Sequence, residues 1–440
     1  MVLPSYVTQC LDDLETAGYA AYCVGGCVRD YCLGLEPADF DICTSALPEQ
    51  TETVFAHRNL VLAGKKHGTV GVITEYGVVE ITTFRTEGTY LDNRHPDWVE
   101  FVPDVEADLA RRDFTVNAMA YSPRRGFADP FGGREDLEKG ILRCVGEPET
   151  RFREDSLRIL RGLRFAARFR LEIEGQTLSA MYSQAHLMEN LAGERVFDEL
   201  CKLLPLVTAE ELVRFAPILA AVIPEIRPMI GFDQRSPHHA YDLFTHTAHV
   251  TAGVPPVLSL RWAGLLHDIG KVPCFTTDET GRGHFKGHAP KGAEMADGVL
   301  RRLKAPTALR EQTVTLITQH MTKVPEDKKV LRRWLGRYGW DTMEALLCLQ
   351  EADMGSKGVE EPRDFCQFTR LRALLKEIRG ENACLTVRDL AVNGHDLINL
   401  GISGKEIGQT LNDLLEQVLD EKLTNEKEAL LGYVKREENL

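Results

Sequence analysis

What this 440-residue chain lacks narrows its class before any motif is considered. It has no surplus of positive charge: 52 Lys and Arg stand against 66 Asp and Glu, a formal net charge of −14. A generally basic nucleic-acid coat is thereby excluded, and any RNA contact must rest on a local basic surface. No run approaches the roughly 18 apolar residues of a membrane span, so no membrane partner is expected. The first twenty residues hold Asp12, Asp13 and Glu15 but no Lys or Arg, the reverse of a signal or transit peptide. They read instead as an amphipathic helix with Val7, Leu11, Leu14 and Ala17 on one side. Eleven cysteines occur without a Cys-x-x-Cys pair, which indicates neither a zinc ribbon nor a disulfide framework. Reduced thiols in the cytoplasm are the expectation. Internal repeats and low-complexity tracts are missing too. The length suits about two to four domains with cores of their own.

What is present begins with Val24-Gly25-Gly26-Cys27-Val28-Arg29-Asp30. Two glycines after an apolar run let the backbone turn tightly and approach a ligand closely. Arg29 and the amides there are suited to phosphate oxygens. Downstream, Asp39-Phe40-Asp41-Ile42 alternates acidic and apolar residues, the period of a half-buried strand with both carboxylates on one face. Paired carboxylates repel unless cations lie between them, and hard oxygen ligands suit Mg²⁺. Two readings stand on these residues alone: phosphoryl or nucleotidyl transfer by two metals, or a glycine turn beside a solvated acidic strand end.

Short strands joined by glycine turns are predicted over 59–63, 69–74 and 78–83. Glu80 becomes a third carboxylate if its strand lies beside Asp39 and Asp41, and otherwise is an exposed strand residue. The polar run 83–96 reads as a loop, either plain surface or a mobile element over an active site. In Arg111-Arg112-Asp113-Phe114-Thr115-Val116-Asn117, adjacent arginines could clamp a triphosphate and Asn117 a sugar hydroxyl. The alternative is a helix start with Asp113 as a first-turn acid.

From about residue 145 the pattern is helical almost throughout. Residues 151–170 carry seven arginines against Glu154 and Asp155, a local excess of +5. Arg158, Arg161, Arg164 and Arg168 form one stripe, with Leu160, Leu163 and Ala167 opposite. So dense a stripe in an acidic chain suits phosphates better than solvent. Asp155 and Arg158 are expected one turn apart on one side. Their heads could read the amine and ring nitrogen that cytosine and adenine share; the competing reading is an i, i+3 ion pair. Farther on, His246, His267-Asp268, His288, His320 and Asp353 occur at helical distances. On packed helices such residues can build a mono- or dinuclear metal site. Gly401 to Gly408, followed by Leu411, Leu414, Leu415 and Val418, predicts a turn into an amphipathic helix.

Taken together, Gly25-Gly26-x-Val28-Arg29-Asp30, Asp39-x-Asp41, Arg111-Arg112-Asp113-Phe114-Thr115, Glu154-Asp155-x-x-Arg158 and the His-Asp series resemble one family along the whole chain. The family is that of bacterial class II CCA-adding tRNA nucleotidyltransferases, in the branch with an embedded HD domain. The resemblance implies an α+β chain: a β-sheet nucleotidyltransferase head (1–143), then all-helical neck (144–205), HD-type body (206–358) and tRNA-binding tail (359–440). It implies that Asp39 and Asp41 bind the catalytic Mg²⁺, and Glu80 is the candidate third catalytic carboxylate. Gly26 and Arg29, joined by Arg111 or Arg112, with Arg161 and Arg164 on the phosphates, would hold the nucleotide, and Gly25, Asp113 and Asn117 are further candidates there. Asp155 and Arg158 would select CTP and then ATP. Arg85, Glu87, Asp92 and Arg94 would belong to the family's flexible loop. A second divalent metal would lie among His246, His267, Asp268, His288, His320 and Asp353. tRNA, CTP and ATP are the implied partners, and no protein partner is inferred. Rival readings are a poly(A) polymerase, an enzyme adding only part of CCA, an HD phosphohydrolase with an RNA-binding head, a dual-activity protein, and a non-enzymatic tRNA-binding folding helper.

Overall fold

The computed structural model describes residues 1–87, 99–358, 364–381 and 383–437. It divides the chain into two compact units. One comprises Met1–Arg227 with Arg302–Ala305, the other Pro228–Arg301 with Pro306–Leu440.

The first unit opens with the expected amphipathic helix, Ser5–Thr16, which buries Val7, Cys10, Leu11 and Leu14; Ala17 falls just beyond it. Among the described residues the strands β1 (Ala21–Val24), β2 (Ile42–Thr44), β3 (Leu60–Val61), β4 (Thr69–Thr74), β5 (Gly77–Thr83), β6 (Arg85–Glu87), β7 (Val99–Phe101), β8 (Ala120–Ser122) and β9 (Gly126–Ala128) follow. Seven of these make one sheet in the order β3-β4-β5-β2-β1-β8-β9. Every side chain of β1 is buried, as expected of a central strand covered on both faces. Tyr22, Val24, Cys43, Phe84, Leu109, Ala118, Ala120 and Val145 close the core beside it. Among the described strands of this sheet one pairing, β2 with β5, is parallel, in the register Ile42↔Ile81.

Two expectations are corrected here. The strand predicted through Asp39 and Asp41 begins only at Ile42, although Asp41 continues the ladder by accepting from the Val24 amide (3.0 Å). The run at 83–96 is not all irregular. Thr83 ends β5, Phe84 is fully buried, and β6 pairs with β7 in antiparallel register. Asp92 and Arg94 lie outside the described residues, as does the side chain of Glu87.

The predicted single helix over 151–170 is two helices, Pro148–Glu154 and Leu157–Phe169. Asp155 between them is extended (φ −144°, ψ 102°), and its carboxylate accepts from the Leu157 amide at 3.1 Å. An Asp side chain that takes the first free amides competes with helix continuation and caps the next helix.

The second unit is helical, apart from a small hairpin of Thr276–Thr277 with Gly283–His284. Helices Leu243–Gly253, Leu258–Leu266, Thr307–Gln319 and Trp340–Gly355 pack together. Asp242 caps the first, accepting from Phe244 and Thr245 amides. The expected turn and amphipathic helix in the tail are present. Gly404 has φ +63°, and Lys405–Leu419 buries Leu414 against Leu397, Leu430 and Val434. Among the described residues no helix is long and apolar enough to cross a membrane.

Candidate active site and metal centre

In the first unit a cavity of about 1060 Å³ gathers, from sequence positions far apart, nearly every head and neck residue singled out above. Asp39 and Asp41 stand where the chain enters β2. The parallel β2–β5 register extends to place Glu80 beside Asp41, so the third carboxylate does join them. Desolvation in the cavity, with Glu80 and Asp39 close by, pushes the Asp41 carboxyl above its ordinary range, and Arg112 only partly offsets this. Like charges crowded at a cavity wall with one opposing arginine suit a divalent cation held by oxygen ligands.

Gly25 is a residue that must be glycine. Its φ is +74°, and a Cβ there would lie 2.8 Å from Arg112 Nη1. Arg111 and Arg112 are both tethered to the buried Asp108 carboxylate, Arg111 at 2.9 Å and Arg112 at 3.4 Å. Across the cavity floor runs a buried relay. Arg29 Nη1 donates to Asn117 Oδ1 (2.6 Å), and Asn117 Nδ2 donates to Asp113 Oδ1 (3.1 Å). Asp113 Oδ2 in turn accepts from Arg161 Nε (2.9 Å). Burial would raise the Asp113 carboxyl, but Arg161, Asn117 and Arg158 outweigh it and hold it below the ordinary carboxylate range. Asp113 is thus a bracket between two arginines rather than a first-turn helix acid.

The arginine stripe faces this cavity, with Arg158 and Arg164 themselves buried. Arg164 donates to the buried Glu199 (2.6 Å), and its guanidinium lies 4.3 Å from the centre of the Phe165 ring. Arg29 lies over Phe169 at 4.3 Å.

Asp155 and Arg158 both line the cavity, but not as the paired heads expected. The helix break separates them. Asp155 Oδ2 accepts from Arg195 Nη2 at 2.9 Å. Arg158 Nη1 donates to Glu154 (2.6 Å) and to the Arg151 carbonyl (3.2 Å), and its Nη2 to the Arg111 carbonyl (3.1 Å). Asp108, Phe165, Arg168, Glu199 and Arg195 are structural contributors not included in the predicted site. Arg168 was already visible in the stripe and Phe165 sits on the same helix beside Arg164; Asp108, Arg195 and Glu199 are joined to it only by the fold. Arg85 also borders the cavity, reaching the His67 carbonyl.

The second unit brings the His-Asp series together. Each of four imidazoles turns Nδ1 to a backbone carbonyl: His246 to Ser356 (3.0 Å), His267 to Gly264 (2.8 Å), His288 to Phe285 (2.8 Å) and His320 to Ile317 (2.6 Å). A carbonyl only accepts, so Nδ1 carries the hydrogen and Nε2 of the neutral ring presents a lone pair. These lone pairs converge on carboxylates. His246 Nε2 is 3.0 Å from Asp353 Oδ1, and His267 Nε2 is 3.1 Å from Asp268 Oδ2. His288 Nε2 is 3.5 Å from Asp268 Oδ1 and 3.3 Å from His320 Nε2. Among the described residues the buried Nε2 atoms of His246 and His267 have no hydrogen-bond partner.

Burial lowers the pKa of His288 and takes that of His320 down to about 4, keeping both neutral. Burial would also lower His267, but Asp268 and Asp353 outweigh it and raise its pKa. Protonating one ring satisfies one contact. Four rings beside Lys271, whose Nζ is 2.7 Å from Asp268 Oδ2, cannot all be protonated. A divalent cation on each side of Asp268 would satisfy the acceptors together, and two donor groups share that residue: His246 with His267, and His288 with His320. Gly270 permits the packing, since a Cβ there would lie 2.2 Å from the His288 carbonyl oxygen.

Three family models match the chain. "Poly A polymerase head domain" matches residues 21–143, "Probable RNA and SrmB- binding site of polymerase A" matches 170–226, and tRNA nucleotidyltransferase domain 2 matches 292–434. The CCA-adding enzyme of Streptococcus mutans is 33% identical over 443 residues, covering 99% of this chain and 98% of that one. That of Geobacillus kaustophilus is 32% identical over 436 residues, covering 96% and 94%. Among solved structures, the Bacillus stearothermophilus CCA-adding enzyme in complex with CTP superposes with a TM-score of 0.71 at 28% identity, covering all of both chains. The Thermotoga maritima CCA-adding enzyme complexed with tRNA shares the fold, with a TM-score of 0.61 at 21% identity, covering 99% of this chain and 96% of that one. With relatives this similar along its full length, and the acidic and arginine motifs gathered in one cavity, the chain belongs to the CCA-adding enzyme family of tRNA nucleotidyltransferases.

Proposed function

We propose that this protein adds C, C and A to the 3′ end of tRNA from CTP and ATP, without a nucleic-acid template. The observation that carries the reading is the cavity in which Asp39, Asp41 and Glu80, with Asp113 and Asp155, meet nine arginines. Family membership supports it independently.

Asp39, Asp41 and Glu80 are the proposed holders of Mg²⁺, whose donor preference for carboxylate oxygen they fit. When bound, the metal would lower the pKa of the RNA 3′-hydroxyl and neutralise the leaving pyrophosphate. Arg29, Arg111, Arg112, Arg161 and Arg164 would grip the triphosphate beside Gly25 and Gly26, with their guanidiniums already fixed by Asp30, Asp108, Asp113 and Glu199. Asn117, held by Asp113, would meet the sugar. Fixing these groups before substrate arrives removes the reorganisation cost at the moment of reaction. Asp155 and Arg158 would read the base edge: the carboxylate accepts from the exocyclic amine and the guanidinium donates to the ring nitrogen. Phosphates, sugar and base would thus each have their own residues.

The further assignments are proposals of the same kind. Residues 1–143, 144–205, 206–358 and 359–440 act as head, neck, body and tail, and residues 85–95 as a loop over the head site. The cytoplasm is the proposed setting, in keeping with eleven cysteines that all carry thiols rather than disulfides.

The unpartnered imidazole nitrogens favour a second function in the other unit. His246, His267, Asp268 and Asp353, with His288 and His320 on the far side of Asp268, would hold one or two divalent metals. Hydrolysis of a phosphoester is the activity such a centre would add.

The test supplies tRNAs lacking all or part of CCA with CTP and ATP, separately and together. Stepwise C, C, A addition followed by a stop is expected. Long A tails on unrelated RNA would instead identify a poly(A) polymerase.

A further inference from the structure

The second unit contains a cleft of about 660 Å³ that neither the transfer site nor the histidine cluster uses. It lies where Thr307–Gln319, Lys328–Tyr338, Trp340–Gly355 and Cys366–Gly380 come together. Its wall carries two arginine–aromatic pairs. The Arg379 guanidinium lies 4.5 Å from the Trp340 ring centre, and that of Arg337 lies 5.2 Å from Tyr338.

The other arginines of these helices are occupied differently. Arg310 pairs with Asp297, Arg332 with Glu381 and Glu421, Arg333 with Glu416 and Asp420, Arg370 with Glu326 and Asp364, and Arg372 with Glu351. Among the described residues, Arg337 and Arg379 have no carboxylate within ion-pair distance, and both are exposed. Among the described residues Arg134, Arg168, Arg235 and Arg388 are likewise exposed with no acid within ion-pair distance, so it is the sharing of one cleft that sets Arg337 and Arg379 apart. Two arginines laid over aromatic rings around one cleft combine two chemistries: cations for phosphates, and ring or guanidinium planes on which a base stacks. Gln312 and Thr315 on the same wall add side chains that can donate to or accept from a base edge, and Glu311 and Asp341, which also line the cleft, add carboxylates that accept from base amines and balance the charge of the two arginines.

We propose that this cleft seats an unpaired nucleotide of the RNA substrate. Its base would stack against the Trp340–Arg379 and Tyr338–Arg337 pairs, with its phosphates on the two guanidiniums. A duplex cannot offer an open base face, so the partner chemistry is a loop or single-stranded nucleotide. The inference rests on the tRNA-directed reading above.

Steady-state addition to a full-length tRNA transcript lacking its final three nucleotides tests it. For Arg337→Gln with Arg379→Gln, KM for tRNA should rise on the order of tenfold, with kcat and the KM for CTP unchanged. The slope of log KM against log salt should flatten by about 1.4, for two phosphate contacts at about 0.7 each. Trp340→Leu should raise the same KM and Trp340→Phe should restore it. An unchanged tRNA KM and salt slope in the double arginine variant would overturn the proposal and point to a protein partner or none. Both arginines are exposed, so that variant decides even where Trp340→Leu loses its fold. If the wild-type protein adds no nucleotide, the transferase reading fails instead; filter retention of the same tRNA, wild type against double variant, then still reads the cleft.

Discussion

The cavity of the first unit and the histidine cluster of the second handle charge in opposite ways. In the cavity the cations are already engaged: Arg29, Arg111, Arg112, Arg161 and Arg164 each bind an acid. The carboxylates of Asp39, Asp41 and Glu80 are the crowded group there. In the cluster the imidazoles are fixed from behind by carbonyls, and among the described residues the inner nitrogens of His246 and His267 are unsatisfied. A site that must receive and release large anions keeps its arginines oriented but exchangeable. One that keeps a small cation leaves its ligands bare and buried. Two buried acceptor nitrogens without partners are costly alone, so the cluster is expected to be occupied whenever a suitable metal is present.

The largest expected effect breaks one side of the comparison and leaves the other intact. Asp41→Asn should reduce nucleotide addition by at least about 10³-fold in single-turnover assays. It should also raise thermal stability slightly at pH 7. The native pKa of Asp41 is raised, so the folded state binds more protons than the unfolded one in the window above the ordinary carboxylate pKa. Stability from this group is therefore greatest at low pH and falls as pH rises through the native value, and the neutral Asn escapes that penalty. A stability loss at pH 7 would contradict the crowding described.

The reciprocal change is His267→Ala. Elemental analysis after dialysis should find it depleted of divalent metal relative to wild type, with C, C, A addition essentially unchanged. Equal loss of addition would show that the two sites are not independent.

A smaller effect sharpens the contrast within the cavity. Asp113→Ala leaves Arg161 without its acid and Asn117 without its acceptor, and should cost about 3 kcal/mol in denaturant unfolding at pH 7. Here the native pKa is lowered. The contribution is present above the ordinary carboxylate pKa and is lost as pH falls through the lower native value, so wild type and variant should converge in acid.

Much of this was legible in the sequence because the chemistry lies in short motifs. The head motifs and the arginine stripe do line one cavity, and the His-Asp series does assemble. Three features were not legible, each for a physical reason. The helix over 151–170 has no Gly or Pro within its first ten residues, so periodicity runs through Asp155. The signal that existed was Asp155-Ser156, a capping pair ahead of Leu157. The partner of Asp155 is Arg195, forty residues on, and Arg164 meets Glu199, thirty-five residues on; no local period connects such pairs. Asp108 looked like one acid among several in 104–108, and only burial distinguishes it as the tether of both arginines.

The anchoring of Arg158 has an evolutionary consequence. Two of its three hydrogen bonds end on main-chain oxygens, those of Arg151 and Arg111. Every amino acid supplies that oxygen in the same place, so the side chains at 151 and 111 can drift without displacing the guanidinium. The position of the proposed base reader is inherited from the backbone path, and neighbouring substitutions leave it largely in register.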